Sequence, residues 1–450
     1  MNGSTGTLAG WLVAAAVVAG PTYAQAPRPA ALVIENVRIF DGKGGALSAP
    51  SNVLVVGNTI KAISTAPVAA PAGAAVTRIA GGGRTLMPGL IDNHVHIVMT
   101  ASTQPDMLDP KNSFAVIEAK GAAEAKAMLL RGFTTVRDLG GPSFGIKRAI
   151  DAGKAAGPRI YPSGAMVSQT SGHGDTRLPS ERSRRFFGKV SRGEEMGFNF
   201  IADGRDEVLT ATRENLRFGA TQIKVMAGGG AASAYDPLDV AQYTLDEMKA
   251  AVEAAEDWGT YVTVHAYTVR AVRRAIEAGV KVIEHGQLLD EPTIRLLAEK
   301  GVFLSLQVLD PAPPNAPPDT RAKKTQVIEG TDNAFKWAKK HEVKLAWGTD
   351  FLFVPEQNKN QNKDILKLRQ WFTPAEALKL VTHDNAQLLL LSGPRNPYPG
   401  KLGVVEEGAY ADLLLVDGDP LANLDLVADP VRNFVVIVKD GVVHKNMLRP

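Results

Sequence analysis

The stretch PGLIDNHVHI (88–97) is an apolar run, interrupted by Asp92 and Asn93, that ends on two histidines two residues apart. Residues at i and i+2 of a β-strand project to the same side, so His94 and His96 can reach the same point in space. A lone histidine usually serves packing. Two imidazoles at strand spacing after an apolar run read instead as ligands sharing one metal ion.

Working outward from this strand, further apolar runs lie at 134–139, 159–165, 222–227, 261–266, 282–285, 302–307 and 344–350, which with 86–97 makes eight. Amphipathic stretches such as 115–131, 245–258, 269–278 and 291–300 separate them. Eight β units alternating with helices point to an α/β fold, a parallel (β/α)8 TIM barrel rather than an open sheet. The Pro-rich piece 311–318 and the polar piece 357–363 follow the seventh and eighth runs, and both are expected to be loops on the barrel mouth. Short strands separated by Gly, Asn and Pro occupy 31–40, 52–56 and 59–64. The texture returns at 411–416 and 434–439, closing with the hairpin-type turn Asp440-Gly441. These ends predict a small β-sandwich domain built from 27–84 and 392–450 around a catalytic barrel at 85–391.

The residues able to do chemistry fall at or near the C-terminal ends of the runs, the face where barrel enzymes place their active sites. Lys224 lies inside the apolar run QIKVMA (222–227), where an ammonium is costly to bury unless it is paired or loses its charge. One reading is a salt bridge to an inward carboxylate. The other is a lysine neutral enough to react with carbon dioxide, giving a carbamate whose two oxygens can bridge two cations. The fifth run ends on His265, the sixth carries His285 and the eighth ends on Asp350. Asp350 alone could equally cap the segment that follows. Together these are four histidines, one lysine and one aspartate converging on one rim.

Composition narrows the chemistry. The 450 residues include no cysteine, so any metal must be held by nitrogen and oxygen. Such donors suit zinc, with cobalt, manganese or nickel as alternatives. Two ions roughly 3.5–4 Å apart lower the pKa of a bridging water and polarise a carbonyl, with Asp350 placed to take that water's proton and pass it to a leaving amine. The 50 basic and 47 acidic residues leave a net charge of +3, which points away from nucleic acid or an anionic membrane as partner. An apolar run at 8–20 followed by Ala24-Gln25-Ala26 reads as an export signal over 1–26, giving a periplasmic or secreted protein, although no Lys or Arg precedes Arg28. The run is short for a membrane span, which needs about 20 apolar residues.

The motifs PGLIDNHVHI (88–97), TTVRDLGG (134–141), QIKVMAGGG (222–230), VHAY (264–267), IEHG (283–286), WGTD (347–350) and TPAEALKLVT (373–382) together resemble those of the amidohydrolase superfamily, a likeness running from about residue 31 to 446. The resemblance implies that His94, His96 and Asp350 bind one divalent metal ion, for which the donor set suits zinc. It implies that His265 and His285 bind a second and that carboxylated Lys224 bridges them. Within the superfamily the chain is most similar to the dipeptidase branch of Xaa-Pro and Xaa-Arg/Lys dipeptidases and ochratoxinase. That branch carries a GHGD-like loop, here Gly172-His173-Gly174-Asp175, and an aromatic after the fifth-strand histidine, here Tyr267. The likeness implies that His173 and Tyr267 engage the substrate's carbonyl or terminal carboxylate.

The implied activity is metal-dependent release of a C-terminal amino acid from a dipeptide or N-acyl amino acid, ochratoxin-like amides included. The small molecule is the expected partner, and relatives often form homo-oligomers. A mononuclear deaminase or cyclic-amide hydrolase on the same barrel is the alternative. Deaminases of this superfamily usually lack the strand-four lysine and place a Glu soon after the fifth-strand histidine, whereas here Lys224 is present and His265 is followed by Ala266-Tyr267-Thr268. A non-catalytic scaffold would be expected to have lost several ligands, and none of the six is missing. His341, His383 and His444 match no ligand position and read as structural or solvated.

Overall fold

In a computed structural model the described residues are 31–448 except 234, so the expected export signal at 1–26 lies outside them. The middle of the chain alternates buried strands with helices whose ends are chemically marked. Thr244 and Glu247 close a capping box at the start of Leu245–Asp257, satisfying amide donors that the first helical turn leaves free. Asp290 caps Glu291–Lys300 at its N-terminus, and Gly301 ends it in a left-handed conformation. Val269–Ala278 turns Ala271, Val272, Ala275 and Ala278 inward at helical spacing.

Two parallel ladders result. Leu90–Val95, Phe133–Asp138 and Arg159–Pro162 form one. The other runs Asn199–Ile201, Met166–Ser168, Ile223–Met226, Val262–Thr268, Val282–Leu288, Phe303–Leu306 and Leu345–Trp347. Hydrogen bonds join the second ladder to both sides of the first. The Asp350 amide donates to the His94 carbonyl at 2.8 Å, and the Thr221 amide donates to the Pro162 carbonyl at 2.9 Å. A Cβ on Gly348 would collide with the backbone of His94, so the approach of the last strand to the first requires glycine there. No helix among the described residues is long and apolar enough to cross a membrane.

All eight apolar runs contain strands, with three departures from expectation. The run 86–97 is two strands: Thr85–Pro88 pairs antiparallel with Leu413–Val416, and Leu90–Val95 enters the parallel ladder. Both are buried throughout, so no exposed residue marks the boundary between them. Two three-residue strands, Met166–Ser168 and Asn199–Ile201, are too short to show a period. The polar piece 357–363 is not an open loop: it is helical across Pro355–Asn360 and Gln361–Leu366, and the side chain of Gln361 is buried against Asp92. The Pro-rich piece 311–318 leads, at Pro318, into the long helix Pro318–Lys340.

The two chain ends share one sheet. Its order is Val442–Asn446, Phe434–Lys439, Leu413–Val416, Thr85–Pro88, Ala31–Ile39, Ser51–Val56 and Thr59–Ser64, with Val76–Ala80 added in parallel to Ala31–Ile39. A register shift between Ile34 and Val37, around Asn36 at φ 52°, lets one strand serve different partners along its length. Arg159, at the start of its strand, reaches this sheet by pairing with Asp412 at 2.9 Å and Asp440 at 2.8 Å.

Candidate metal centre

The structure brings His94, His96 and Asp350 together. Nε2 of His94 lies 3.2 Å, and Nε2 of His96 3.3 Å, from the same oxygen of Asp350. His285 presents Nε2 4.0 Å from the other Asp350 oxygen. Nitrogen and oxygen atoms of His94, His285 and Asp350 all lie within 4.8 Å of one another, close enough to hold one ion. The His265 ring packs 4.5 Å from that of His285, centroid to centroid. Its Nε2 faces the Gly229 carbonyl at 3.0 Å, which leaves Nδ1 as the nitrogen available to a cation. Lys224 is buried, and no carboxylate among the described residues comes within ion-pair distance of it.

Backbone conformation places two of these groups. His285 has φ 78° and Gly286 φ 74°, so extended geometry is interrupted right after Glu284, within the strand Val282–Leu288. Strict alternation would send Glu284 and His285 to opposite faces; the left-handed residue lets both reach the interior. Asp350 also has a positive φ of 54°.

The electrostatics fit cation binding. Burial lowers the pKa of His94 to about 4 and holds His265 and His285 well below the usual imidazole value, keeping their lone pairs free. Burial pushes Asp350 up, but His94, His285 and His96 outweigh it and hold the carboxyl ionised. Burial lowers Lys224 to about 8. Imidazole nitrogens and a carboxylate facing one another offer nitrogen and oxygen lone pairs to a cation, and this donor set suits a divalent ion such as zinc. Nδ1 of His96 and of His285 is buried with no hydrogen-bond partner, so these rings are not consumed in protein contacts.

His173 and Tyr267 join the same cluster. The His173 ring stacks on His265 with centroids 3.9 Å apart, and Tyr267 packs 5.1 Å from His265 and 4.9 Å from His285. Nδ1 of His173 lies 3.2 Å from Asp236 and 2.9 Å from the Ser233 hydroxyl. Lys323 holds the loop behind them, donating to the Ser233 and Asp236 carbonyls at 3.2 and 3.1 Å. His341 and His383 pair with Glu291 and Asp384 at 2.8 Å each, and His444 stands on the terminal sheet.

Sequence reasoning missed the charged groups beneath the ligands. Glu284 stands 3.0 Å from Nδ1 of His94 and pairs with Arg137 at 2.6 Å, all three side chains being shut off from solvent. Asp138 accepts the Ile97 amide at 3.1 Å within electrostatic reach of His96, and burial pushes its pKa up to about 7. A charge inside an apolar strand was the signal that singled out Lys224. It is equally present in TTVRD (134–138) and VIEHG (282–286).

Comparison with known proteins agrees with this geometry. Residues 85–449 match the model of the Amidohydrolase family, and the chain belongs to that family. Ochratoxinase from Aspergillus niger is 33% identical over 360 residues, covering 77% of this chain and 72% of that protein. A solved prolidase complexed with N-methylphosphonate-L-proline is 33% identical with a TM-score of 0.83, covering 92% of this chain and 100% of that one. A Xaa-Pro dipeptidase crystallised with methionine in its active site is 27% identical with a TM-score of 0.78, again covering 92% and 100%. The protein is thus an amide hydrolase of the dipeptidase and ochratoxinase-like branch, acting on carbon–nitrogen bonds.

Proposed function

We propose that this enzyme is a binuclear metal-dependent hydrolase that releases an amino acid from dipeptides or N-acyl amino acids. His94, His96 and Asp350 would hold one divalent ion, His265 and His285 a second, and Lys224 would bridge them after carboxylation. That modification joins the lysine nitrogen to carbon dioxide and releases one proton. The observation that carries the reading is the convergence of His94 and His96 on one oxygen of Asp350, with His285 beside the other oxygen. When bound, such ions supply Lewis-acid charge that acidifies water and polarises the scissile carbonyl. Asp350 accepts the water's proton and delivers it to the departing nitrogen. His173 and Tyr267 hold the substrate's carbonyl or terminal carboxylate. The names of the prolidase and ochratoxinase relatives support a substrate with a free carboxylate, a small molecule in either case.

We read the two ladders as one closed (β/α)8 barrel, supported by the hydrogen bonds from Asp350 to His94 and from Thr221 to Pro162, and the single sheet shared by the chain ends, Thr85–Pro88 included, as a terminal β domain in place of a sandwich confined to 27–84 and 392–450. Export through the 1–26 signal and homo-oligomer formation belong to the same proposal. A mononuclear centre is the second reading, favoured by the grouping of His94, His285 and Asp350 around one point. Metal analysis of active protein separates the two, with two ions per chain expected. A screen of dipeptides and N-acyl amino acids on zinc-loaded protein tests the reaction. Full turnover after exhaustive chelation would refute it.

A further inference from the structure

Glu284 is not one of the six ligands, yet it is wholly buried beside them. Its Oε1 accepts from Nη2 of Arg137 at 2.6 Å and from the Thr263 hydroxyl at 2.5 Å. Its Oε2 lies 3.0 Å from Nδ1 of His94, within ion-pair reach but outside hydrogen-bond geometry, and neither buried atom has another partner. Arg137, itself wholly buried, also donates through Nε to the Asn93 carbonyl at 2.7 Å, next to His94 in the chain. The guanidinium therefore ties the carboxylate of one strand to the backbone of the strand that carries His94.

A carboxylate paired with a buried guanidinium is ionised and can only accept hydrogen bonds. A ring proton on Nδ1 of His94 gives both of these unpartnered atoms a partner and leaves the lone pair on Nε2. That lone pair points at Asp350, 3.2 Å away, acceptor against acceptor. A cation between the two relieves the opposition. We infer that Glu284, clamped by Arg137, is a positioning residue that fixes His94 as the Nδ1–H tautomer and so presents Nε2 to the metal site. The inference rests on His94 being a metal ligand.

Two measurements test it. The first is the zinc affinity of full-length wild type, Glu284→Gln and the double variant Arg137→Met/Glu284→Gln, measured by chelator competition with folding checked by circular dichroism. Loss of an outer partner of a ligating histidine typically weakens metal binding about 10–100-fold, and that loss is expected in both variants. The double variant removes the uncompensated buried cation that could unfold the single one. The second measurement needs no variant of the pair: ¹⁵N NMR of the zinc-loaded wild type, with His94 assigned by its absence from His94→Asn, should show a proton on Nδ1. A folded variant with wild-type zinc affinity, or a proton on Nε2 of His94, overturns the inference while the metal centre stands. A wild type that binds no zinc overturns both.

Discussion

Asp92 and Thr349 lie 257 residues apart in sequence and are joined twice, the Thr349 hydroxyl donating to one carboxylate oxygen at 2.7 Å and its amide to the other at 3.1 Å. The same carboxylate accepts the His94 amide at 3.1 Å and the Gln361 side chain at 3.0 Å. One buried acid thus fixes the backbone beside His94 and beside Asp350, setting the two ligands against each other. Burial pushes its pKa up to about 6, opposed by those donors.

Thr349→Val keeps the shape of the side chain and removes one donor from this buried acid. A lost hydrogen bond that leaves a buried acceptor short costs about 1–3 kcal/mol. Urea unfolding of the metal-free protein should show that loss. Because Asp350 is the next residue, kcat should fall as well.

Asp350→Asn retains a ligand-shaped side chain but cannot take up a proton. General acid–base catalysis contributes about 10²–10⁴-fold, and kcat should fall by that order. Zinc content, read by mass spectrometry, should fall far less. Retained turnover would remove Asp350 from the proton-transfer role.

Lys224 gives the pH dependence. Carbon dioxide reacts with the neutral amine, and burial lowers this lysine to about 8. The neutral fraction therefore rises with pH, from about a tenth at one unit below that value to about nine-tenths at one unit above. Under a fixed carbon dioxide pressure, protein stripped of metal and carbon dioxide should regain zinc-dependent activity faster as pH rises through about 8, and faster still at a higher carbon dioxide pressure. Lys224→Ala should show neither response and should bind zinc more weakly. Recovery independent of carbon dioxide in the wild type would argue for an unmodified lysine.

Local pattern made much of this legible. Val269–Ala278 and Glu291–Lys300 have the bounds that periodicity predicts, because glycine stops and apolar spacing agree in both and Asp290 adds a side-chain cap to the second. His94 and His96 meet as strand alternation requires. His285 meets them for a reason alternation does not contain, the left-handed φ of a non-glycine residue. The split of 86–97 was hidden because both halves are buried, one in the terminal sheet and one in the parallel ladder. Glu284 and Arg137 stood inside quoted motifs, but only their pairing across strands shows what each does.

The substrate side of the site yields the remaining prediction. Asp236 is almost wholly buried, accepts the Gly230 amide at 2.7 Å and lies 3.2 Å from Nδ1 of His173. Burial pushes its carboxyl up, but His173, Ser233 and the Gly230 amide outweigh that and hold it below the usual range. A Cβ on Gly230 would collide with the His173 ring, so the loop is shaped around this histidine. An ionised Asp236 keeps the proton on Nδ1 and orients the ring, as carboxylate partners do for catalytic histidines. If His173 serves the substrate rather than the metals, Asp236→Asn should lower kcat/KM by about 10–100-fold with zinc content unchanged, and His173→Ala should lower it at least as far. The double variant should be no worse than His173→Ala alone, because the aspartate acts only through the histidine. Additive losses in that cycle would mean that Asp236 reaches the substrate by itself.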